Sequence, residues 1–380
     1  MFDERWQALA AHSSARVLVV RLDNIGDVVM LGPALRAIRA NLPRASITLL
    51  ATPGGSQAAP LLPWIDDVMV QRVLWQDISG TWPLDPGREL ALIEEIRARQ
   101  FDAAIIFTSF TQSPHPPAYV CYLAGIPLRI AQSKEFGGGL LTQWVRSLGD
   151  EAHQVDRNLH LLRNAGFELK GTHLDVSIST VAQAHADQLL AEAGILAGQP
   201  FIALAPGASA AARRYDPERF GSVALALGGY PHPITGEPLD VVLLGSQREV
   251  DLIGGMAIAG GRGVISLAGQ TSVPELAGVI NRAALVLANN SGPLHLADAL
   301  DRPMVITYSG TEWETQWQPR RAPATLLRRP TPCSPCFAFK CPYNMECLDF
   351  TPEEVVQAAL SMLAQTYEEA KDLTGLAQAS

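Results

Sequence analysis

The run Ala283-Ala284-Leu285-Val286-Leu287-Ala288, followed by Asn289-Asn290-Ser291-Gly292-Pro293-Leu294-His295, reads as a buried strand that ends in a turn and opens a helix. Asn290 or Ser291 can cap that helix. Pro293 fits its first turn, where a backbone N–H has no intrahelical partner anyway. The remaining N–H groups and the positive end of the helix dipole then make an anion site at the C-terminal end of the strand. Gly292 lets a ligand approach the backbone closely, and His295 can donate to phosphate oxygens. A plain capped helix with a buried histidine explains the same letters, so the rest of the chain must decide.

Working outward, short apolar runs alternate with helical patterns. Strand-like runs are Arg16–Leu22, Ser46–Ala51, Ala103–Thr108, Phe201–Ala205, Asp240–Leu244, Leu285–Ala288 and Met304–Thr307. Helix-like stretches between them include Gly32–Leu42, Arg88–Arg99, Val181–Ala193, Pro217–Leu227, Arg248–Ala259, Val273–Asn281 and Pro293–Leu300. Strands and helices in this rhythm make βαβ units, hence an α/β chain with parallel, doubly wound sheets. Strands without alternation suit sheets covered on both faces. The pattern restarts near Phe201 after the mixed linker Lys170–Ser179. This gives two Rossmann-like halves, about residues 1–175 and 180–350, and a last helix-like segment within 351–380 that is free to pack back on the first half.

A chain of 380 residues is long enough for two such domains. With 48% hydrophobic and 18% charged residues it has the make-up of a packed globular protein. A net charge of −9 and a pI near 5.4 argue against a nucleic-acid partner. They leave room for a phosphate ligand, which a few local donors can serve. No apolar run reaches the roughly 18–20 residues that span a bilayer. The first one, Val17–Val20, is too short for a signal sequence. The expectation is a cytoplasmic protein with no transmembrane segment.

Three further junctions carry candidate chemistry. Arg21-Leu22-Asp23-Asn24-Ile25-Gly26-Asp27-Val28-Val29 leads from the first strand into a helix, at the edge where open α/β sheets place their ligands. Asp27 there is either a helix-capping carboxylate or a general base. Phe201–Ala205 runs into Pro206-Gly207-Ala208-Ser209 and then Arg213-Arg214-Tyr215-Asp216-Pro217. Ser209 can donate a hydrogen bond, and Arg213 or Arg214 can clamp a pyrophosphate. Leu243-Leu244-Gly245-Ser246-Gln247-Arg248-Glu249 ends a strand in a small-residue turn, with a carboxylate able to hold ribose hydroxyls.

Four cysteines, Cys333, Cys336, Cys341 and Cys347, fall in one loop with C-x2-C-x4-C-x5-C spacing. That spacing can supply a tetrahedral, structural zinc or iron. Pro332, Pro335 and Pro342 equally suit a stiff loop held by disulfides or by packing. Cys121 reads as a buried apolar residue.

Together these segments resemble glycosyltransferase family nine, the ADP-heptose:lipopolysaccharide heptosyltransferases. The likeness runs through Arg21–Val28 with Gly32-Pro33-Ala34-Leu35-Arg36, Pro206-Gly207-Ala208 with Arg213–Phe220, Leu244-Gly245-Ser246, Ser291–His295 with Ala297–Pro303, and the cysteine loop before Thr351-Pro352-Glu353. The resemblance implies a GT-B fold, two Rossmann-like domains facing a cleft, with the nucleotide-sugar on the C-terminal one. It implies that Asp27 matches the family's catalytic base. Ser209, Arg213, Ser291, Gly292 and His295 match contacts to the donor's phosphates, and Glu249 falls more loosely at the ribose. Asn290 stands where many members have Asp; its amide still suits donor binding. Tyr215 replaces the usual Trp, a change expected to alter stacking and acceptor fit.

The implied activity is inverting transfer of a heptose or related sugar from an ADP-linked donor to a glycan or lipopolysaccharide-type acceptor, the acceptor bringing any peripheral membrane contact. No cofactor is required on this reading. The chain lacks the G-x-x-x-x-G-K-[ST] and G-x-G-x-x-G phosphate motifs and the D-x-D pair that holds a divalent ion on diphosphate. Two rivals stay open: a GT-B-fold sugar-nucleotide epimerase, and a catalytically silent nucleotide-sugar-binding protein.

Overall fold

Aliphatic runs buried on both faces build two parallel sheets in the computed structural model, which describes residues 4–12, 14–77, 79–261 and 263–378. Residues 1–3 and 379–380 of the expected segments lie outside the described residues. The first sheet contains β1 (Arg16–Arg21), β2 (Ser46–Ala51), β3 (Asp67–Val70), β4 (Ala103–Ile106), β5 (Leu128–Ser133) and β6 (Gln143–Arg146). Its order is β3-β2-β1-β4-β5-β6. The second contains β7 (Phe201–Ala205), β8 (Asp240–Leu243), β9 (Val264–Ser266), β10 (Leu285–Asn289), β11 (Met304–Thr307) and β12 (Ala324–Leu327), in the order β12-β11-β10-β7-β8-β9. Numbered within its own unit, the second order is the first one again. The chain divides into these two units after Ser177.

The central strands explain why the apolar runs fold this way. Val17, Leu18, Val19 and Val20 are at most 1% exposed, and Val19 pairs with both Leu49 and Ile105. In the second unit Leu285–Ala288 is equally buried, with Leu287 between Leu204 and Val305. Most of the parallel crossovers run through a helix that follows the strand.

The sequence pattern marked no strand at β3, β5, β6, β9 or β12. The reason differs by position. β6 reads Gln-Trp-Val-Arg and lies at a sheet edge, so only Val145 of its four residues is buried. β5 is wholly buried yet carries Arg129, Gln132 and Ser133. Arg129 is accommodated by donating to the carbonyls of Leu140 and Ile126 and by stacking over Tyr122 at 5.3 Å.

In this strand order the direction of winding reverses between β1 and β4, and again between β7 and β10. Open α/β sheets bind ligands at the C-terminal ends of such strands. Asp27 follows β1, the Pro206–Ser209 turn follows β7, and Asn290–His295 follows β10.

The helix Pro352–Gln378 packs on the helix Pro217–Leu227 and on β10, β11 and β12. Val355, Ala359, Met362 and Leu363 enter the second unit's core beside Phe220, Val241 and Phe350. Its apolar stripe completes the second core. Leu363→Ala should lower the stability of the second unit by about 2–5 kcal/mol, the usual cost of emptying a buried leucine site. Urea unfolding measures it, and an unchanged midpoint would detach this helix from the core.

Candidate functional site

In the first unit, a fully buried arginine organises the end of β1. Arg21 has no exposed side-chain surface, and its guanidinium faces two carboxylates. Nε lies 2.7 Å from Asp23 Oδ2, and Nη2 donates to Asp27 Oδ1 at 2.8 Å. Nη2 also donates to Ser109 Oγ at 3.0 Å, and that hydroxyl in turn donates to Asp27 Oδ1 at 3.3 Å. The other Asp27 oxygen accepts the Asn24 N–H at 3.2 Å. Asp27 therefore serves as the helix-start carboxylate that one reading expected, and it also stays 13% exposed at a sheet edge, as a base requires.

Asp23 is deeper, 5% exposed in its side chain. Gln112 donates to its Oδ1, and Thr52 Oγ1 donates to its backbone carbonyl at 2.7 Å. Burial pushes its carboxyl up to about 6; the Asp27 charge adds to the rise while Arg21 opposes it. Sequence reading gave Arg21, Asp23, Ser109 and Gln112 no individual role. The one local signal was two acidic residues closely following an arginine that ends an apolar strand.

In the second unit, the organiser is a neutral amide. Asn289, fully buried at the end of β10, donates from Nδ2 to Pro206 O at 2.6 Å. Its Oδ1 accepts the Tyr215 N–H at 2.9 Å and the Thr307 hydroxyl at 2.8 Å. One side chain thus ties together the turn after β7, the loop into the next helix, and β11. Asn290 Oδ1 accepts the backbone N–H of Ser309 at 3.3 Å and its hydroxyl at 3.2 Å. A backbone N–H can only donate, so this contact fixes which way the amide faces.

The expected donor-site residues gather around these two asparagines in part. Ser291 occupies the N-cap position of the helix Gly292–Ala299, but neither it nor Asn290 caps that helix with its side chain; the Ser291 hydroxyl turns to Asn289 O at 3.4 Å. His295 is 8% exposed with its ring centroid 6.3 Å from that of Trp317. Glu249 lies directly against Gly207, where an added Cβ would come within 2.0 Å of Oε1. Its Oε2 meanwhile accepts from Ser246 N and Oγ at 2.8 and 2.7 Å, so the carboxylate joins the turns after β7 and β8. Arg213 forms an ion pair with Glu312 in the loop after β11, a partner the sequence had not suggested. Arg214 instead holds the turn by donating to Ala208 O at 2.9 Å. Ser209 is exposed.

One expectation is corrected. Tyr215 does not line a binding surface: it is fully buried, donates its hydroxyl to Phe350 O at 2.9 Å, and packs edge-on against Phe220. Cys333, Cys336, Cys341 and Cys347 form the loop for which metal, disulfides or packing were all open. They line one small pocket with Ala212, Gly310 and Thr311, and all four are free thiols. Among the described residues no group of His, Cys, Asp or Glu is placed to hold a metal ion, so the zinc or iron expectation has no support here. Main-chain bonds shape the loop: Cys336 N to Gly310 O at 3.1 Å, Phe337 N to Thr311 O at 2.9 Å, and Ala212 N to Phe339 O at 3.1 Å.

Residues 89–346 match the family model for glycosyltransferase family 9 (heptosyltransferase). Lipopolysaccharide heptosyltransferase 2 of Escherichia coli K12 is 24% identical over 363 residues, covering 92% of this chain and 99% of that protein. Among solved structures, the ADP-heptose lipopolysaccharide heptosyltransferase II of E. coli superposes with a TM-score of 0.72 at 22% identity, covering 93% of this chain and 99% of that one. A family 9 glycosyl transferase from Veillonella parvula gives 0.74 at 20% identity, with 94% and 99% covered. These likenesses, with the two six-stranded parallel sheets, show the GT-B fold.

Asn289→Ala should cost about 2–4 kcal/mol of stability, because it strands a buried carbonyl, a buried N–H and a buried hydroxyl together. Thermal or urea unfolding checks this; a loss under half a kcal/mol would show that water replaces the amide.

Proposed function

This chain belongs to glycosyltransferase family 9 and is a glycosyltransferase, and we propose that it moves a heptose or closely related sugar from an ADP-linked donor onto a lipopolysaccharide-type acceptor. The observation that carries the proposal is Asp27, partly exposed at the end of β1 with its carboxylate oriented by Arg21, Ser109 and the Asn24 N–H. A hydroxyl to be deprotonated needs such a group, fixed in direction and open to a substrate.

In the proposed reaction Asp27 takes the proton of an acceptor hydroxyl as that oxygen bonds to the anomeric carbon. The bond from that carbon to the diphosphate breaks, and its electron pair leaves with the nucleotide. One displacement of this kind inverts the configuration. In the second unit, the start of the helix Gly292–Ala299 and His295 meet the growing negative charge, which is electrostatic stabilisation by groups already in place. Arg213 joins them by exchanging Glu312 for phosphate. Ser209 and Ser291 add hydroxyl donors, Asn290 an amide, and Glu249 the ribose contact. The acceptor side is assigned to the loops over 52–63 and 109–117. None of the described helices is long and apolar enough to cross a membrane, so contact with a bilayer would come through a lipid-borne acceptor.

Asp27→Asn should reduce acceptor-dependent ADP release by about 10²–10⁴-fold, the usual worth of a general base, with ADP affinity unchanged. Near-normal turnover would return Asp27 to a purely capping role. Incubation with the donor alone separates transfer from epimerisation, because an epimerase needs no acceptor.

The nucleotide side has its own test. Arg213→Ala and His295→Ala should each weaken ADP binding by about 1.5–3 kcal/mol at one fixed salt concentration. Transfer should continue in EDTA. Unchanged ADP affinity in both variants, or strict dependence on Mg²⁺, would move the phosphates elsewhere.

A further inference from the structure

The Arg21 cluster holds one cation and two carboxylates, and the reaction proposed above uses only one of them. We propose that Asp23 is a positioning residue for sugar transfer: by sharing the Arg21 guanidinium with Asp27, it sets how tightly that cation binds the base. The inference rests on the reading of Asp27 as the base.

Geometry separates the two roles. Asp23 Oδ2 lies 2.7 Å from Arg21 Nε as an ion pair without hydrogen-bond alignment, while Asp27 Oδ1 accepts from Nη2 at 2.8 Å, so the carboxylates occupy different positions around the same buried guanidinium. Asp23 has Gln112 on Oδ1, Thr52 on its carbonyl and a side chain 5% exposed, which leaves it no approach to a substrate. It acts through Arg21. With both carboxylates charged, the cluster carries one net negative charge, and Arg21 is divided between two claimants. Once Asp23 is protonated, the full cation falls to Asp27. A carboxylate paired to an undivided cation holds its electrons more tightly and is a weaker base.

The surroundings fix the direction of the effect. Arg21 comes from β1 and Asp27 from the helix Ile25–Val29. From the helix Gln154–Asn164, buried Arg157 adds a second cation; burial, with the Arg21 charge adding to it and Asp150 opposing, brings it down to about 10. The loop after β4 contributes neutral Ser109 and Gln112, and the turn after β2 neutral Thr52. Burial first, then Asp27, lifts the Asp23 carboxyl to about 6 against the pull of Arg21. Asp23 is therefore charged at neutral pH and neutral below about 6, and the base weakens as pH falls through that point.

The test is the pH profile of kcat for ADP release from ADP-heptose, with a heptose-deficient lipopolysaccharide core as acceptor, in wild type, Asp23→Asn and Asp23→Glu. Wild type should lose activity as pH falls through about 6. Asp23→Asn should have kcat about tenfold lower at neutral pH, with the donor KM unchanged and the inflection near 6 gone. Asp23→Glu should recover both. Wild-type kcat in Asp23→Asn with its inflection retained overturns the proposal, as does a wild-type profile without an inflection there. If Asp23→Asn loses its cooperative melt, the wild-type profile decides by the same criterion. Full activity in Asp27→Asn would sink the base assignment itself; an inactive Asp27→Asn beside an unaltered Asp23→Asn sinks only the role of Asp23.

Discussion

A parallel sheet covered by helices on both faces leaves little room for polar chemistry except at its strand ends. Val17–Val20 and Leu285–Ala288 are sealed from solvent on both sides, so a polar side chain along them would be buried without a partner. Each unit of this chain obeys that constraint in the same way. Its distinctive residues follow the last apolar position of a central strand, where the winding reverses and turns of small residues keep the backbone accessible.

The two units satisfy those edges by different means. The first buries a full positive charge, Arg21, and surrounds it with Asp23, Asp27 and Ser109. Removing Arg21 there would leave two carboxylates without a cation in a buried site, so the cluster is held together by the cost of breaking it. The second uses Asn289, which donates and accepts without carrying charge. A neutral organiser beside the helix Gly292–Ala299 puts no anion in competition with a diphosphate.

Structural roles also absorb residues whose types invite chemistry. Tyr215 is a core aromatic whose backbone and hydroxyl are both committed, and the cysteine loop is fastened by main-chain bonds to Gly310, Thr311 and Ala212. That fastening places the loop against the residues flanking Arg213 and Glu312. Spacing in sequence identified which thiols share a loop; it could not say how their sulfurs are directed.

What the sequence determined by itself was everything carried by local periodicity and turn chemistry. Apolar runs bounded by Gly, Pro and Asn placed β1, β2, β4, β7, β8, β10 and β11 and the helices that follow them, and they set Asp27 and Ser291–His295 at strand ends. Edge strands such as β6 carried too few buried positions to stand out, and the polar residues of β5 masked a strand that is wholly inside. The partners of polar atoms were decided only in three dimensions. Gln112 reaches Asp23 across 89 positions, and Tyr215 reaches Phe350 across 135. Arg21 stands between two carboxylates, and Asn289 joins three segments, because the strand order brings those segments to one edge. Burial of apolar side chains is written residue by residue. The pairing of a buried polar group depends on which distant segment folds beside it, and no local pattern encodes that neighbour.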